Sequence, residues 1–372
     1  MSKQSIKSTL HHSLRDIVEL TSARYKHFTD KLVNRELKVK LVAVAQDEAA
    51  YLPEWIAHHL HFGFDEIEIH INGTTDNSLE VIEPFLSMPN VSVVNADDFF
   101  KSYPGNPQVG TYKNAYAKAV KQGFSHLCFI DIDEYWVPAD LTTTIQDCIK
   151  NLGKADVYSF EWCNKYEPDN IFGYAVEQSF WVQRALQVKS IIDAKTPVYR
   201  VNTHTVINPY LNYKLADGSK FNHTSEGYSR IDNYELNKPV KPYFIVHRFY
   251  RSTKEYISIL GKKRLTFPKQ GISEVKSNRK GYASPENLTK ITFDEHAYSV
   301  YRNAMNKFIE QYTNPVSLIR AQESVDARYY RVLDIIQNSE RSQAAVLEKV
   351  LRNVSDPAVL EAYKLFRKTH AL

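Results

Sequence analysis

Carboxylates crowd the end of one apolar segment of the sequence. The run 127–130 is followed by Asp131, Asp133 and Glu134. Negative charge beside a buried strand is costly and persists most easily where a cation or a reaction needs it. If the extended geometry continues past the run, Asp131 and Asp133 point to one face, with Cα atoms roughly 6.6 Å apart. Such a pair suits Mg²⁺ or Mn²⁺ with substrate phosphates as further ligands, and the alternative is that these acids only cap the next turn.

A cation held in this way serves several reactions. One is departure of a nucleoside diphosphate from a sugar, and another is phosphoryl transfer through an aspartyl nucleophile. The second is disfavoured because haloacid-dehalogenase-like phosphatases place Thr or Val where Tyr135 stands. A sugar nucleotidyltransferase usually needs a Gly-rich basic loop after its first strand, whereas residues 45–48 are acidic. A third possibility is a protein that has the fold of such an enzyme and binds a nucleotide or a glycan without catalysis.

The elements that must position these acids alternate between strand and helix. This alternation predicts an α/β fold with a mostly parallel sheet covered by helices. In such a sheet ligands bind beyond the carboxyl ends of the strands, where the polar clusters 46–48 and 72–76 also fall. The predicted strands are 40–45, 66–71, 91–94 and 126–131, and the predicted helices begin at Leu52, Ser78 and Thr111.

The second half of the chain has a different pattern. Short aromatic strands are predicted at 157–162, 180–182, 198–201 and 243–246, and amphipathic helices follow, one near Pro285 and another at Pro357. We therefore divide the chain into a helical lead-in at 1–38, a catalytic domain at 39–265 and a helical C-terminal extension at 266–372.

Composition excludes several classes of protein. The 372 residues carry a net charge of only +4, with no basic tract, which argues against nucleic acid as the main partner. Three cysteines without CxxC spacing favour neither a disulfide framework nor a zinc site. We expect a cytoplasmic protein, since neither a secretory signal nor a membrane span is apparent, with the inner face of the membrane as an alternative location.

Five motifs, in order, resemble those of known enzymes. Residues 44–59, VAQDEAAYLPEWIAHH, are similar to the KNEAxYLxEWIxYH opening of family 2-like and family 92 glycosyltransferases. INGTTDNS (71–78) and FIDIDEYWVP (129–138) resemble that group's DNxSTDxS and FIDxDEFxxP. Lys189 to Ile192 with His204 resembles KxIV…H, and the segment from His247 to Tyr256 resembles HYxxKSxEEF. The likeness covers about residues 40 to 265.

The resemblance implies a GT-A fold, a nucleotide-sugar donor that is commonly a UDP-sugar, and a divalent cation, Mn²⁺ or Mg²⁺. Asp131 and Asp133 would form the DxD pair, and His247 would be a third metal ligand or a diphosphate contact, its alternative being a hydrogen-bonded strand-end histidine. The acceptor would be a saccharide or glycolipid in the synthesis of a surface glycan such as lipopolysaccharide or capsule. The other implied donor-binding residues are Glu48, Asn72, Asp76, Lys189, Arg248 and Arg251. The last three are candidate diphosphate cations, and the alternative for each is a solvated surface charge.

Two departures from the family pattern and one open role remain. Ile71 stands where the family has an acidic residue that usually contacts the nucleobase or the ribose. Arg248 stands where the family has a tyrosine. An inverting reaction also needs a base to deprotonate the acceptor. We predict Glu161 for this role, with Asp193 and Glu134 as alternatives, whereas a retaining reaction would need none.

Overall fold

The computed structural model describes residues 36–198, 200–221, 229–262 and 275–372. The predicted helical lead-in therefore lies outside the described residues, apart from its last three positions. In the described part a ten-stranded sheet has the order β3-β2-β1-β4-β7-β6-β11-β5, with β10 beside β6 and β12 beside β7. Helices cover it, as the sequence predicts.

The strands are β1 Val39–Ala45, β2 Glu66–Ile71, β3 Val91–Asn95, β4 His126–Phe129, β5 Glu134–Pro138, β6 Val157–Tyr166, β7 Ser179–Asp193, β8 Arg200–Val201, β9 Val206–Ile207, β10 Tyr213–Leu215, β11 Tyr243–His247 and β12 Thr289–Thr292. The helices are α1 Leu52–His61, α2 Ser78–Ile82, α3 Asp97–Ser102, α4 Pro107–Ala119, α5 Ile145–Leu152, α6 Thr253–Leu260, α7 Glu295–Tyr312, α8 Pro315–Asn338, α9 Ala344–Val350 and α10 Pro357–Thr369.

The first four strands form the parallel half of the sheet. β1 pairs in parallel with β2 and β4, and β2 pairs in parallel with β3. β1 is buried along nearly its whole length because helices cover both faces. Parallel pairing brings the carboxyl ends of β1, β2 and β4 to one edge, which confirms this half of the predicted fold.

The second half of the sheet is largely antiparallel. β7 runs antiparallel to both β4 and β6, and β5 runs antiparallel to β11. The sequence predicts only a short strand at 180–182, whereas β7 extends over Ser179–Asp193. Residues 188–193 of β7 are all buried, whereas residues 183–187 are partly exposed. The strand therefore shows no single hydrophobic period along its full length.

The extended geometry does not continue through the acidic segment, contrary to the sequence expectation. β4 ends at Phe129, and the amide of Glu134 donates to the carbonyl of Asp131 at 3.0 Å, which closes a turn before β5. Asp131 and Asp133 are therefore placed by a turn rather than by a strand.

The C-terminal helices pack onto the sheet-containing core. Tyr301 of α7 accepts or donates a hydrogen bond with His58 of α1 at 2.8 Å, and α8 packs against α6 and α10. The helix predicted near Pro285 is wrong: this segment contains β12, which pairs with β7, and α7 begins at Glu295 with Asp294 as its N-cap. The predicted helix at Pro357 is confirmed. Within the described ranges, none of the helices combines the length and apolar character needed to cross a bilayer.

Candidate functional site

A cavity of about 420 Å³ opens at the carboxyl ends of β1, β2 and β4. Its lining combines three carboxylates with four cations, an arrangement that suits a charged polar ligand. The lining residues are Val44, Gln46, Glu48, Asn72, Phe100, Gln108, Asp131, Ile132, Asp133, Trp162, His247, Phe249, Arg251, Ile259, Lys262, Lys276 and Arg279.

Asp133 and His247 face each other in this cavity. The Oδ2 atom of Asp133 lies 3.5 Å from Nε2 of His247. The pairing of β11 with β5 sets this distance, because His247 is in register with Glu134, the residue after Asp133. The imidazole also packs 4.2 Å from the ring of Trp162, and its Nδ1 atom has no partner among the described residues.

The electrostatic surroundings keep Asp133 ionised. Burial raises the pKa of this carboxyl, but His247, Arg251 and Arg279 together lower it well below its usual range. The cavity therefore presents a carboxylate, the form that binds a cation, at every pH near neutrality.

Asp131 is held on both of its oxygens. Its Oδ2 atom accepts from Nζ of Lys189 at 3.0 Å, and its Oδ1 atom accepts from Gln108 at 2.8 Å and from the hydroxyl of Tyr112 at 3.3 Å. Side-chain exposure is 34% for Asp131 and 1% for Lys189. Asp131 thus reaches the cavity with its charge already compensated.

Glu134 is buried directly beneath this pair. Its Oε2 atom lies 3.0 Å from Nζ of Lys189 and accepts from the amide of Asp131 at 2.9 Å. Burial raises the pKa of Glu134 well above its usual value; Lys189 opposes this rise, and Asp131 and Asp133 add to it. Lys189 therefore fixes the acidic turn from below, where it does not line the cavity.

A second buried ion cluster forms the opposite wall. Glu48, in the β1–α1 loop, accepts from Arg251 at 2.8 Å and from Lys262 at 2.5 Å. The Arg251 guanidinium lies 3.4 Å from the ring centroid of Tyr51. Burial raises the pKa of Glu48, but Arg251 and Lys262 lower it below its usual value. One carboxylate shared by two cations leaves this wall with a net positive charge.

The donor atoms match a divalent cation only in part. No group of three or more His, Cys, Asp or Glu side chains is arranged to hold a metal ion anywhere in the described residues. Asp133 and His247 could still supply two ligands. Adjacent ligand atoms of an octahedral ion lie about 3 Å apart, and Oδ2 of Asp133 lies 3.5 Å from Nε2 of His247. Mg²⁺ and Mn²⁺ commonly take one or two protein ligands with phosphates as the rest. These two residues fit such a site, whereas Asp131 is already occupied by Lys189.

Comparison with known proteins identifies the chain. The family model for glycosyltransferase family 92 matches residues 39–243, more than half of the sequence. The chain belongs to glycosyltransferase family 92. It is therefore a transferase enzyme, as the motifs predict. No curated protein is significantly similar to it in sequence.

Two solved structures of TarS 1-349 from S. aureus also match this glycosyltransferase. The complex with UDP is 18% identical over 42% of this chain and 47% of the TarS chain, with a TM-score of 0.29. A second TarS 1-349 structure is 12% identical over 90% of this chain and 91% of the TarS chain, with a TM-score of 0.27. The first alignment thus spans less than half of the TarS chain.

The cavity of the family 92 enzyme contains some of the predicted site residues and not others. Asp131, Asp133, His247, Glu48, Asn72 and Arg251 all line it. Asp76 instead builds the loop after β2, where its carboxylate accepts from the amides of Ala49 and Ser78 at 3.0 Å each. Arg248 is buried against Glu167, with Nε 2.7 Å from Oε1. Lys189, Asp76 and Arg248 are therefore structural in the described geometry.

Glu161, the predicted base, does not reach the cavity. Arg184 binds its Oε2 atom through Nε and Nη2 at 2.9 and 2.7 Å, and the amide of Lys241 donates to Oε1 at 3.1 Å. The pairing of β6 with β7 shifts register between Glu161 and Trp162, and Trp162 lines the cavity whereas Glu161 does not. The alternatives are placed no better: Glu134 binds Lys189, and Asp193 pairs with His126 at the opposite end of β4.

Sequence reasoning missed seven cavity residues: Phe100, Gln108, Phe249, Ile259, Lys262, Lys276 and Arg279. One signal was available for Gln108. Asn106 followed by Pro107 is a helix start, and the structure confirms it because Asn106 caps α4. The predicted start at Thr111 is therefore too late by one turn. The cations at 276 and 279 belong to no motif.

Proposed function

We propose that this protein transfers a sugar from a nucleoside diphosphate sugar, with UDP as the leading nucleotide, to a saccharide or glycolipid acceptor. The observation that carries the proposal is the Asp133–His247 pair, 3.5 Å apart, facing a cavity that Arg251 and Lys262 make positive on its other wall. A diphosphate fits between a cation-binding pair and a cationic wall. The family supports the reaction class, and the cavity chemistry supports the donor class.

Asp133 and His247 would hold the divalent cation, Mn²⁺ or Mg²⁺. When bound, such a cation neutralises negative charge that develops on a departing diphosphate. The low pKa of Asp133 keeps its carboxylate available as a ligand at neutral pH. Asp131, restrained by Lys189, Gln108 and Tyr112, offers a fixed acceptor edge to a hydroxyl of the donor.

The chain's own groups would do three things in the reaction. Arg251 and Lys262 bind the diphosphate by charge, and Glu48 orients both. Phe100, Asn72 and Gln46 lie at the end of the cavity formed by β1, β2 and α3, where a nucleobase would stack and form hydrogen bonds. Trp162, beside His247, offers a flat apolar surface to a sugar ring.

The pathway and the location of the enzyme are further parts of the proposal. Synthesis of a surface glycan such as lipopolysaccharide or capsule, in the cytoplasm or at the inner face of the membrane, rests on the sequence resemblance alone.

A thermal-shift panel tests the donor and the cation together. Wild type is heated with UDP, GDP, CDP or CMP, each with and without Mn²⁺. We expect one diphosphate to raise the melting temperature by several degrees only when Mn²⁺ is present, because ligands of the folded state stabilise it by mass action. Asp133→Asn should remove this shift, and Asp169→Asn, at an exposed carboxylate, should not. A folded wild type that responds to no nucleotide contradicts the proposal.

A further inference from the structure

All four cavity cations, Arg251, Lys262, Lys276 and Arg279, come from beyond the family 92 match. The match ends at residue 243, and Arg251 and Lys262 follow it closely in the chain, whereas Lys276 and Arg279 belong to the segment that leads into the C-terminal helices. Both line the same cavity as Asp133 and His247. The family-matching region alone therefore does not supply the whole wall of the site.

The Arg279 side chain is held in a fixed position. Its Nη1 atom donates to the carbonyl of Phe249 at 3.0 Å, and its guanidinium carbon lies 3.8 Å from the ring centroid of Phe249. Asp133, which lines the same cavity, is the carboxylate that acts on the charge of Arg279. A restrained guanidinium that keeps most of its donors unused is suited to bind an oxyanion.

The end of α9 and the turn that follows it hold the segment that carries Arg279. Lys349 donates to the carbonyl of Ser277 at 2.5 Å, and Arg352 donates to the carbonyl of Lys280 at 2.7 Å. The amide of Tyr282 donates to the carbonyl of Arg352 at 2.8 Å. These bonds lie on both sides of Arg279 and therefore fix its backbone.

Gly281 makes this close approach feasible. Its φ is +98°, and a Cβ atom at this position would lie 2.5 Å from the carbonyl oxygen of Arg352. Any other residue would have to push the segment away from the helices. The position of Arg279 thus depends on a glycine two residues away.

The same segment supports Arg251. The hydroxyl of Tyr282 donates to the carbonyl of Arg251 at 2.6 Å. Arg251 has a φ of 57°, a left-handed conformation that residues other than glycine rarely adopt. A strained backbone conformation persists only when neighbouring groups hold it in place. The hydrogen bond from Tyr282 is one of the contacts that hold Arg251 in this conformation.

We propose that Arg279 contacts the diphosphate of the donor and stabilises the negative charge on the leaving phosphate, so that the C-terminal region completes the donor site. This inference rests on the proposed function. In the transfer, the bond between the anomeric carbon and the β-phosphate oxygen breaks, and its electron pair stays on that oxygen, beside the guanidinium. The acceptor oxygen forms the new bond to the anomeric carbon and releases its proton to solvent or a base.

Isothermal titration calorimetry tests the contact without any need for an acceptor. The ligands are the nucleoside diphosphate selected by the thermal-shift panel and its monophosphate, both with Mn²⁺. In Arg279→Gln we expect the diphosphate to bind about 10- to 100-fold more weakly and the monophosphate to change less than about threefold. Lys280→Gln, at the exposed neighbouring position, should bind both as wild type does.

Two further variants separate contact from folding. Arg279→Lys keeps the charge but not the guanidinium fork, and should lose an intermediate amount of diphosphate affinity. Gly281→Ala should mimic Arg279→Gln, because it displaces the segment without removing a charge. If wild type binds a diphosphate and both Arg279 variants bind it equally well, the inference is overturned and the proposed function stands. If wild type binds no nucleotide, the proposed function itself fails.

Discussion

The Asp133 carboxylate and the His247 imidazole lie 3.5 Å apart, although Asp133 belongs to the middle of the family 92 match and His247 lies beyond its end. Asp133 belongs to the turn between β4 and β5, and His247 is the last residue of β11. The antiparallel pairing of β5 with β11 brings them together, since His247 is in register with Glu134. The pair is therefore a product of the second, largely antiparallel half of the sheet.

The first prediction concerns His247 as a cation ligand. His247→Ala should weaken Mn²⁺ binding in the presence of the nucleoside diphosphate by at least about tenfold, because it leaves Asp133 as the only protein ligand of the pair. Electron paramagnetic resonance of free Mn²⁺ during titration measures this affinity. His296→Gln, at an exposed histidine, serves as the control. Unchanged Mn²⁺ affinity in His247→Ala would remove His247 from the site.

The second prediction concerns the buried cation beneath the acidic turn. Lys189→Met should lower the free energy of unfolding by about 3–5 kcal/mol, because it leaves Asp131 and Glu134 without their shared counter-charge. Urea denaturation followed by circular dichroism measures the loss. Lys150→Met, at an exposed lysine, should stay within about 0.5 kcal/mol of wild type. A loss of that small size for Lys189→Met would show that the ion cluster does not support the turn.

The third prediction separates backbone strain from side-chain charge at Arg251. Arg251→Ala and Arg251→Gly both remove the guanidinium, so both should lose diphosphate affinity to the same extent. The glycine variant should nevertheless be more stable to urea by about 1 kcal/mol, because φ is 57° at this residue and glycine adopts that conformation without a steric cost. Equal stability of the two variants would mean that the backbone relaxes once the side chain is gone.

The fourth prediction is a pH dependence that arises away from the cavity. Burial raises the pKa of Glu68, but His70 and Lys40 lower it from 4.5 to about 2. A carboxyl with a lowered pKa stabilises the folded state above pH 4.5, and this contribution is lost as the pH falls toward 2. Glu68→Gln should therefore lower the free energy of unfolding by about 2–3 kcal/mol at pH 7 and by much less at pH 3.

Urea denaturation at the two pH values checks the fourth prediction. Glu66→Gln is its matched control, since Glu66 also pairs with Lys40 at 2.8 Å but is more exposed. It should give a smaller loss at pH 7. A Glu68→Gln deficit that is the same at both pH values would contradict the assigned cause.

The fifth prediction places the nucleobase on Phe100. Phe100→Ala should weaken binding of the nucleoside diphosphate about 5- to 100-fold through lost stacking, while binding of inorganic pyrophosphate with Mn²⁺ stays unchanged. Calorimetric titration with both ligands distinguishes the two effects. Phe99→Ala, at the preceding position of α3 and outside the cavity lining, is the control. An equal loss for pyrophosphate would mean that the substitution perturbs the whole cavity.

Local sequence signals predicted the first half of the molecule well. β1 and β2 are apolar or alternating segments with polar residues directly after them, and the sequence predicts the bounds of each strand to within one residue. The sequence wrongly predicts an extended backbone at the acidic turn, because the apolar residues of β4 do not show where the strand ends. The sequence indicates Glu161 as the base by chain order alone, and chain order does not show which face of β6 a side chain occupies.

The sequence by itself determined the parallel strands, the polar clusters at their carboxyl ends and the family, because these depend on hydrophobic periodicity and on motifs of adjacent residues. Only the tertiary structure decided which charges meet. Lys189 binds Asp131 from below, His247 faces Asp133, and Arg279 enters from the C-terminal region. Such contacts depend on strand register and helix packing between distant segments, and the order of residues along a single chain does not record either one.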